Sequence, residues 1–97
     1  METDPIVLRY FAAVALLWYN VQHRELTPLD WGYLDAWHSA QIPLQAVLIG
    51  MRRSFASFKP ATPGARIHTL AYCYPAIMDA WHEIAPTLAD EEMRRAA

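Results

Sequence analysis

The stretch PLQAVLIGMRRSFASF, residues 43–58, decides the fold. Leu44, Val47, Leu48, Met51, Phe55 and Phe58 fall at offsets 0, 3, 4, 7, 11 and 14. That spacing puts six apolar side chains on one side of an α-helix. Gln45, Arg52, Arg53 and Ser57 take most of the remaining circumference, so one face is to be buried and one wetted. Pro43 opens the helix, because proline's fixed φ suits a first turn and its missing N–H is not needed there.

The same reading extends toward the N-terminus. Asp4-Pro5 is a helix start, Asp accepting from the first unpaired N–H groups and Pro fitting the first helical position. Val7, Tyr10, Phe11, Val14, Leu17, Trp18 and Val21 then recur at threes and fours, predicting a helix that ends near 23–25. Leu8 and Leu16 fall off that face, and Ala12, Ala13 and Ala15 keep the other side small, so a neighbour can approach it closely. A helix apolar nearly all round is buried on more than one side. Thr27-Pro28-Leu29-Asp30 is a second start, with Thr as cap and Asp in place of the usual Glu of a capping box. It predicts a helix to about Ala40, with Leu34 and Trp37 inward and Trp31 or Tyr33 at the margins.

Toward the C-terminus, KPATPGAR (59–66) holds two prolines and a glycine and cannot continue a helix. Leu70, Cys73 or Tyr74, Ile77, Trp81 and Ile84 form a fourth apolar segment, with Pro75 inside it. An irregular lead-in over 67–73 and a firm helix over 75–85 follow from that proline. After Pro86, Thr87 and Asp90 cap a further short helix whose acids come first and whose Arg94-Arg95 come last. No stretch alternates with period two. The expected fold is all-α: a single domain with a small bundle of four main helices over 5–85 and a short C-terminal tail helix over 86–97.

Composition bounds the function. An apolar fraction of 55% with 19% charged residues excludes intrinsic disorder. A chain of 97 residues buries only about 60–70% of its unfolded surface. Four Trp, five Tyr and three Phe are more than one such core absorbs, so a homo-oligomer or a protein partner is expected. A single cysteine, Cys73, excludes an internal disulfide. Glu2 and Asp4 stand where a signal peptide needs cations. The longest apolar run, 6–19, contains Arg9 and falls short of the ~18–20 residues of a membrane span. These features predict a soluble, cytoplasmic protein with no membrane role.

The net charge of −2 conceals segregation. Residues 1–35 hold five acids against Arg9 and Arg24, and residues 79–97 hold five acids against Arg94 and Arg95. Between them, residues 36–78 contain no acid, only Arg52, Arg53, Lys59 and Arg66. The four cations gather around the end of the third helix and its loop, and Tyr72 and Tyr74 follow on the next segment. Cations beside aromatic faces suit single-stranded nucleic acid, neutralising phosphates and stacking bases. The plainer reading makes Arg52 and Arg53 a wet helix face and the tyrosines core.

Other chemistries find less support. Asp-Ala-Trp-His occurs at 35–38 and again at 79–82, and each Asp/His pair shares a helical face. Di-iron bundles use that spacing but add a carboxylate from each of two further helices. The first and third helices offer none, so local Asp–His pairs with Trp37 and Trp81 buried are the simpler account, and no metal or cofactor is expected. Cys73 paired with His68 or His82 would make a thiol–base couple, but a lone Cys in an apolar segment is usually a small buried hydrophobe. Gly32, Gly50 and Gly64 are too far apart for a phosphate loop. The chain is read as non-enzymatic.

The order of elements resembles the helical domain of DnaD-like replication-initiation proteins, the bacterial and phage primosome components. There a first amphipathic helix leads into a leu-thr-pro helix start, as Leu26-Thr27-Pro28 does here. A second helix with a Leu and an aromatic follows, like Leu34 and Trp37, and then a helix comparable with residues 42–55. The last helix of the family is marked Tyr-x-x-x-Ile-x-x-x-Trp. Ile77 and Trp81 match it, Cys73 stands at the Tyr position between Tyr72 and Tyr74, and Pro75 departs from the pattern. The resemblance implies weak single-stranded or nonspecific DNA binding, self-assembly, and scaffolding in helicase loading. The family's DNA-contacting tail corresponds to an acidic stretch here, Asp90–Glu92. The alternative is an adaptor subunit of a larger complex with no nucleic-acid role.

Overall fold

Two cap signals set the first half of the bundle. In the computed structural model, which describes residues 4–59, 62 and 64–96, Asp4 accepts from the Ile6 amide at 2.9 Å and α1 runs Pro5–Gln22. His23 closes it in the left-handed region at φ 57°, its N–H bonded to the Tyr19 carbonyl. Thr27 and Asp30 form a complete capping box at the head of α2, Pro28–Ser39, despite the shorter acid. Gln41, at φ 64°, ends α2: its N–H reaches the His38 carbonyl and the Ile42 N–H reaches that of Trp37. This is a Schellman closure, with Ile42 and Trp37 as its buried apolar pair.

Helix α3, Leu44–Ser57, lies at the centre and runs antiparallel to α4, Tyr74–Ala96: Gly50 meets Ile77, and Gln45 shares a groove with Leu88. A 3₁₀ turn, Leu70–Cys73, leads into α4, so the irregular lead-in is borne out and Pro75 sits harmlessly in the first turn. Among the described residues there is no strand, and the fold is all-α.

Pro86 corrects the expected boundary. Instead of a break and a separate short helix over 86–97, α4 continues through Pro86 to Ala96. Proline forfeits one bond, to the His82 carbonyl, and does so where both His82 and Pro86 are exposed. Continuing the helix also keeps Leu88 half-buried beside Gln45 and Trp81. The radius of gyration is 14.8 Å, against about 12.5 Å for a compact domain of this length. The excess reflects the last turns of α4, where residues 89–96 are all exposed.

The core joins Tyr10, Val14 and Trp18 of α1, Leu34 and Trp37 of α2, Val47 and Met51 of α3, and Leu70, Cys73 and Ile77. Val21, placed inward by periodicity, is 42% exposed. Trp81, expected to be buried, is only half-buried. Tyr10 donates to the Ile42 carbonyl at 2.9 Å, and burial pushes its phenol up to about 12. No helix among the described residues is long and apolar enough to cross a membrane.

Residues 65–69 have no regular structure, and two side chains, one from the α1–α2 connection and one from the first turn of α2, hold this segment in place. Arg24 lies 4.8 Å over the Trp18 ring and donates to the carbonyls of Ile67 and His68, at 2.5 and 2.9 Å. Asp30 is fully buried, and its Oδ1 accepts the Leu70 amide at 2.9 Å. A chain stretch with no ladder of its own thus finds its backbone partners in side chains.

Candidate functional site

The predicted basic–aromatic residues divide into two groups. At one end of the bundle, the Trp18–Phe55 contact brings together the ends of α1 and α3. The Phe58 ring meets Tyr72 edge-on at 5.7 Å, and Arg24 ties Ile67 and His68 to the same end. Lys59 and Arg66 adjoin these contacts, and both are exposed. Tyr72 is 48% exposed there. The loop between them includes residues 60, 61 and 63, which lie outside the described set.

Arg52 is exposed on α3, but Arg53 is engaged. Its Nη1 lies 2.7 Å from Glu83 Oε2 of α4, and this is the one ion pair among the described residues. Both side chains are half-exposed, so the pair stabilises by at most about 1 kcal/mol. Its consequence is electrostatic: one of the four cations already faces an acid from the C-terminal block.

Tyr74 belongs to a different surface. Its ring stacks on Trp37 at 6.2 Å and 27°, and Trp37 stacks on Tyr33 at 6.2 Å and 23°. With Ala71, the three rings line a cleft of about 310 Å³ between α2 and the start of α4. Tyr33 and Trp37 escaped the sequence reading as partners of Tyr74. Their i, i+4 spacing was the available signal, but it does not say which neighbouring element the pair faces. Ile77 is fully buried against Gly50 and is structural; Trp81 is half-buried beside the tail of α4.

The two Asp-Ala-Trp-His segments do not build a common centre. His38 packs edge-on against Tyr10 and Phe11, at 5.1 and 6.1 Å, while Asp35, Asp79 and His82 are exposed. Among the described residues no three His, Cys, Asp or Glu side chains cluster as metal ligands would.

Cys73 is fully buried and its thiol is pushed up to about 11, chiefly by burial, with a hydrogen bond to Ser54 lowering it and the nearby Asp30 charge raising it. The groups acting on it are a hydroxyl and an acid, and neither makes a thiolate nucleophile. Cys73 is therefore expected to react with a disulfide reagent at pH 8 at least about 100-fold more slowly in native protein than in guanidinium, because both access and thiolate fraction fall. Comparable rates in the two solvents would contradict its burial. The raised value also makes its contribution to stability complete below about pH 9 and lost as pH rises through about 11.

Residues 21–93 match the model of a protein family described as "Uncharacterised protein", and the chain belongs to that family. The matched span takes in α2, α3 and nearly all of α4 and leaves out most of α1. No curated protein and no solved structure matches the chain.

Proposed function

We propose that this chain is a non-catalytic, DnaD-like helical module that holds single-stranded nucleic acid weakly at the end of the bundle formed by the close of α3, Lys59 and residues 64–72. The observation supporting this reading is that exposed Lys59 directly follows Phe58, whose ring meets half-exposed Tyr72, while exposed Arg66 directly precedes Ile67 in the segment leading to Tyr72, with Arg52 further back on α3. Phosphates require cations, and unpaired bases require flat faces on which to stack. With Arg53 held by Glu83, three of the four cations are left to meet phosphates. Three contacts to a single strand give a log–log salt slope of about −2, a loss of roughly twentyfold between 50 and 200 mM salt.

Fluorescence anisotropy of a labelled oligothymidylate tests this. Wild-type protein should bind at low salt, and a Lys59→Ala/Arg66→Ala double variant should weaken binding and bring the slope toward −1. Tyr72→Ala should lose about 1–3 kcal/mol through stacking while leaving the slope alone. Unchanged anisotropy with wild-type protein at about 100 µM, the weak limit of nonspecific binding, would reject the reading. A second reading, an interaction subunit without nucleic-acid binding, is favoured by the outer face of α1, where Leu8, Leu16 and Tyr19 are more than half exposed.

A further inference from the structure

Helix α1 has two apolar faces and only one of them is used. Tyr10, Val14 and Trp18 point into the core. Leu8, Ala12, Leu16 and Tyr19, spaced by four, four and three residues, form a stripe on the opposite side. Leu8 is 53% exposed, Leu16 63% and Tyr19 52%, with Trp31 of α2, 38% exposed, alongside. Ala12, Ala15, Leu16, Tyr19 and Trp31 line a groove of about 530 Å³, and exposed Glu25 borders it.

We infer that a second copy of this chain covers this face, α1 packing antiparallel on the partner's α1 about a two-fold axis near Ala12. The inference takes up the interaction reading and is independent of nucleic-acid binding, which uses other residues. Area is the first reason. Leu8, Leu16, Tyr19 and Trp31 leave on the order of 500 Å² uncovered, more than half of the ~800 Å² each partner gives a standard interface. Ala12, Ala15 and the stem of Arg9 add to it.

Shape and charge are the second and third. An antiparallel register about Ala12 sets Leu16 of one copy opposite Leu8 of the other. The small residue then lies at the crossing, where the backbones must approach. Arg9 is the single charge inside α1, and Glu25 is the acid beside the groove. Neither has an ion-pair partner among the described residues. Reversing the second helix carries its Arg9 from the start of α1 toward the end where Glu25 lies, and the two-fold axis makes the pair twice. One surface supplying both halves of its own complement is what an isologous contact demands.

Sedimentation equilibrium of the full chain across a concentration series is the test. Wild-type protein should move from monomer toward dimer mass, and Leu16→Glu should stay monomeric with an unchanged helical circular dichroism spectrum. Arg9→Glu and Glu25→Arg should each weaken the dimer roughly tenfold, two pairs being reversed in each case. The double variant Arg9→Glu/Glu25→Arg should recover most of that loss. A wild-type chain that is monomeric at ~200 µM overturns the dimer, since association weaker than that is of no account for this surface. Leu16→Glu associating like wild type, or a double variant no tighter than its parents, overturns this face and this register.

Discussion

Replacing Gly50 by alanine should lower the melting temperature by on the order of 10–20 °C. In most helices the same change is stabilising, because glycine in a helix interior costs about 0.5–1 kcal/mol relative to alanine. Here the sign reverses. A Cβ on Gly50 would fall inside the contact distance of Ile77 N, Cα and Cγ1. Two of those atoms are backbone, so no rotamer change makes room and α4 itself must move off α3. Ile77 is fully buried, so that displacement would open the centre of the core. Overpacking costs up to about 3 kcal/mol, and a backbone obstacle puts this site at that limit. A domain this small loses about 4–8 °C per kcal/mol. Gly32 supplies the control. It is exposed on α2, and a Cβ there meets nothing within 4 Å. Gly32→Ala should therefore raise stability by up to about 1 kcal/mol. Thermal melts that shift both variants in the same direction would contradict the close approach of α3 and α4.

What local spacing encodes was legible before the structure. The three-and-four repeat of α3, the Asp4-Pro5 and Thr27-Pro28 starts, and the lead-in before Pro75 all appear where the residues put them. Each depends on neighbours within four positions. The misreadings concern longer reach. Proline removes a hydrogen bond and so reads locally as a terminator, but α4 continues through Pro86 and sets Leu88 beside Gln45, a residue 43 positions back in the chain. The basic middle of the chain reads as a charge block, but Arg53 meets Glu83, thirty residues on, and no local pattern announces that pair. Proximity in sequence groups Tyr74 with Tyr72. The turn from 3₁₀ to α-helix sends them to different faces, one to Phe58 and the other to Trp37. Gly50 reads in the sequence only as one of three scattered glycines, and it is the point where α3 and α4 touch.

Asp30 illustrates the same division and carries the other large effect. Its sequence position marks it as the third residue of α2, where an acid caps the helix and faces the positive end of its dipole. That role is present: Oδ2 accepts from Thr27 N at 3.0 Å and from Thr27 Oγ1 at 2.9 Å. Its second role, invisible locally, is to accept the amide of Leu70 forty residues away. Among the described residues no cation pairs with this fully buried carboxylate, so donors alone offset its burial. Asp30→Ala leaves Thr27 as the N-cap but removes the reciprocal half of the capping box, its acceptor for the Thr27 N–H, worth about 1 kcal/mol, and leaves the Leu70 N–H without its partner in the core, worth about 1–3 kcal/mol. Asp30→Asn should lose less, because one oxygen remains; but its amide must then present N–H groups to an N–H donor at either Thr27 or Leu70. Wild type, Asn and Ala should therefore descend in that order in a denaturant titration, with Ala down by about 2–4 kcal/mol. The position of the loss separates this from a general weakening. Amide exchange should accelerate most over 67–73 in Asp30→Ala, because the Leu70 amide loses its acceptor and the segment's remaining side-chain support is Arg24 on the Ile67 and His68 carbonyls. Arg66 and Tyr72 flank or lie within it, so oligonucleotide binding should weaken in parallel. Exchange over 67–73 that matches wild type would show that Arg24 alone suffices to hold the segment, and would remove Asp30 from the support of the proposed site.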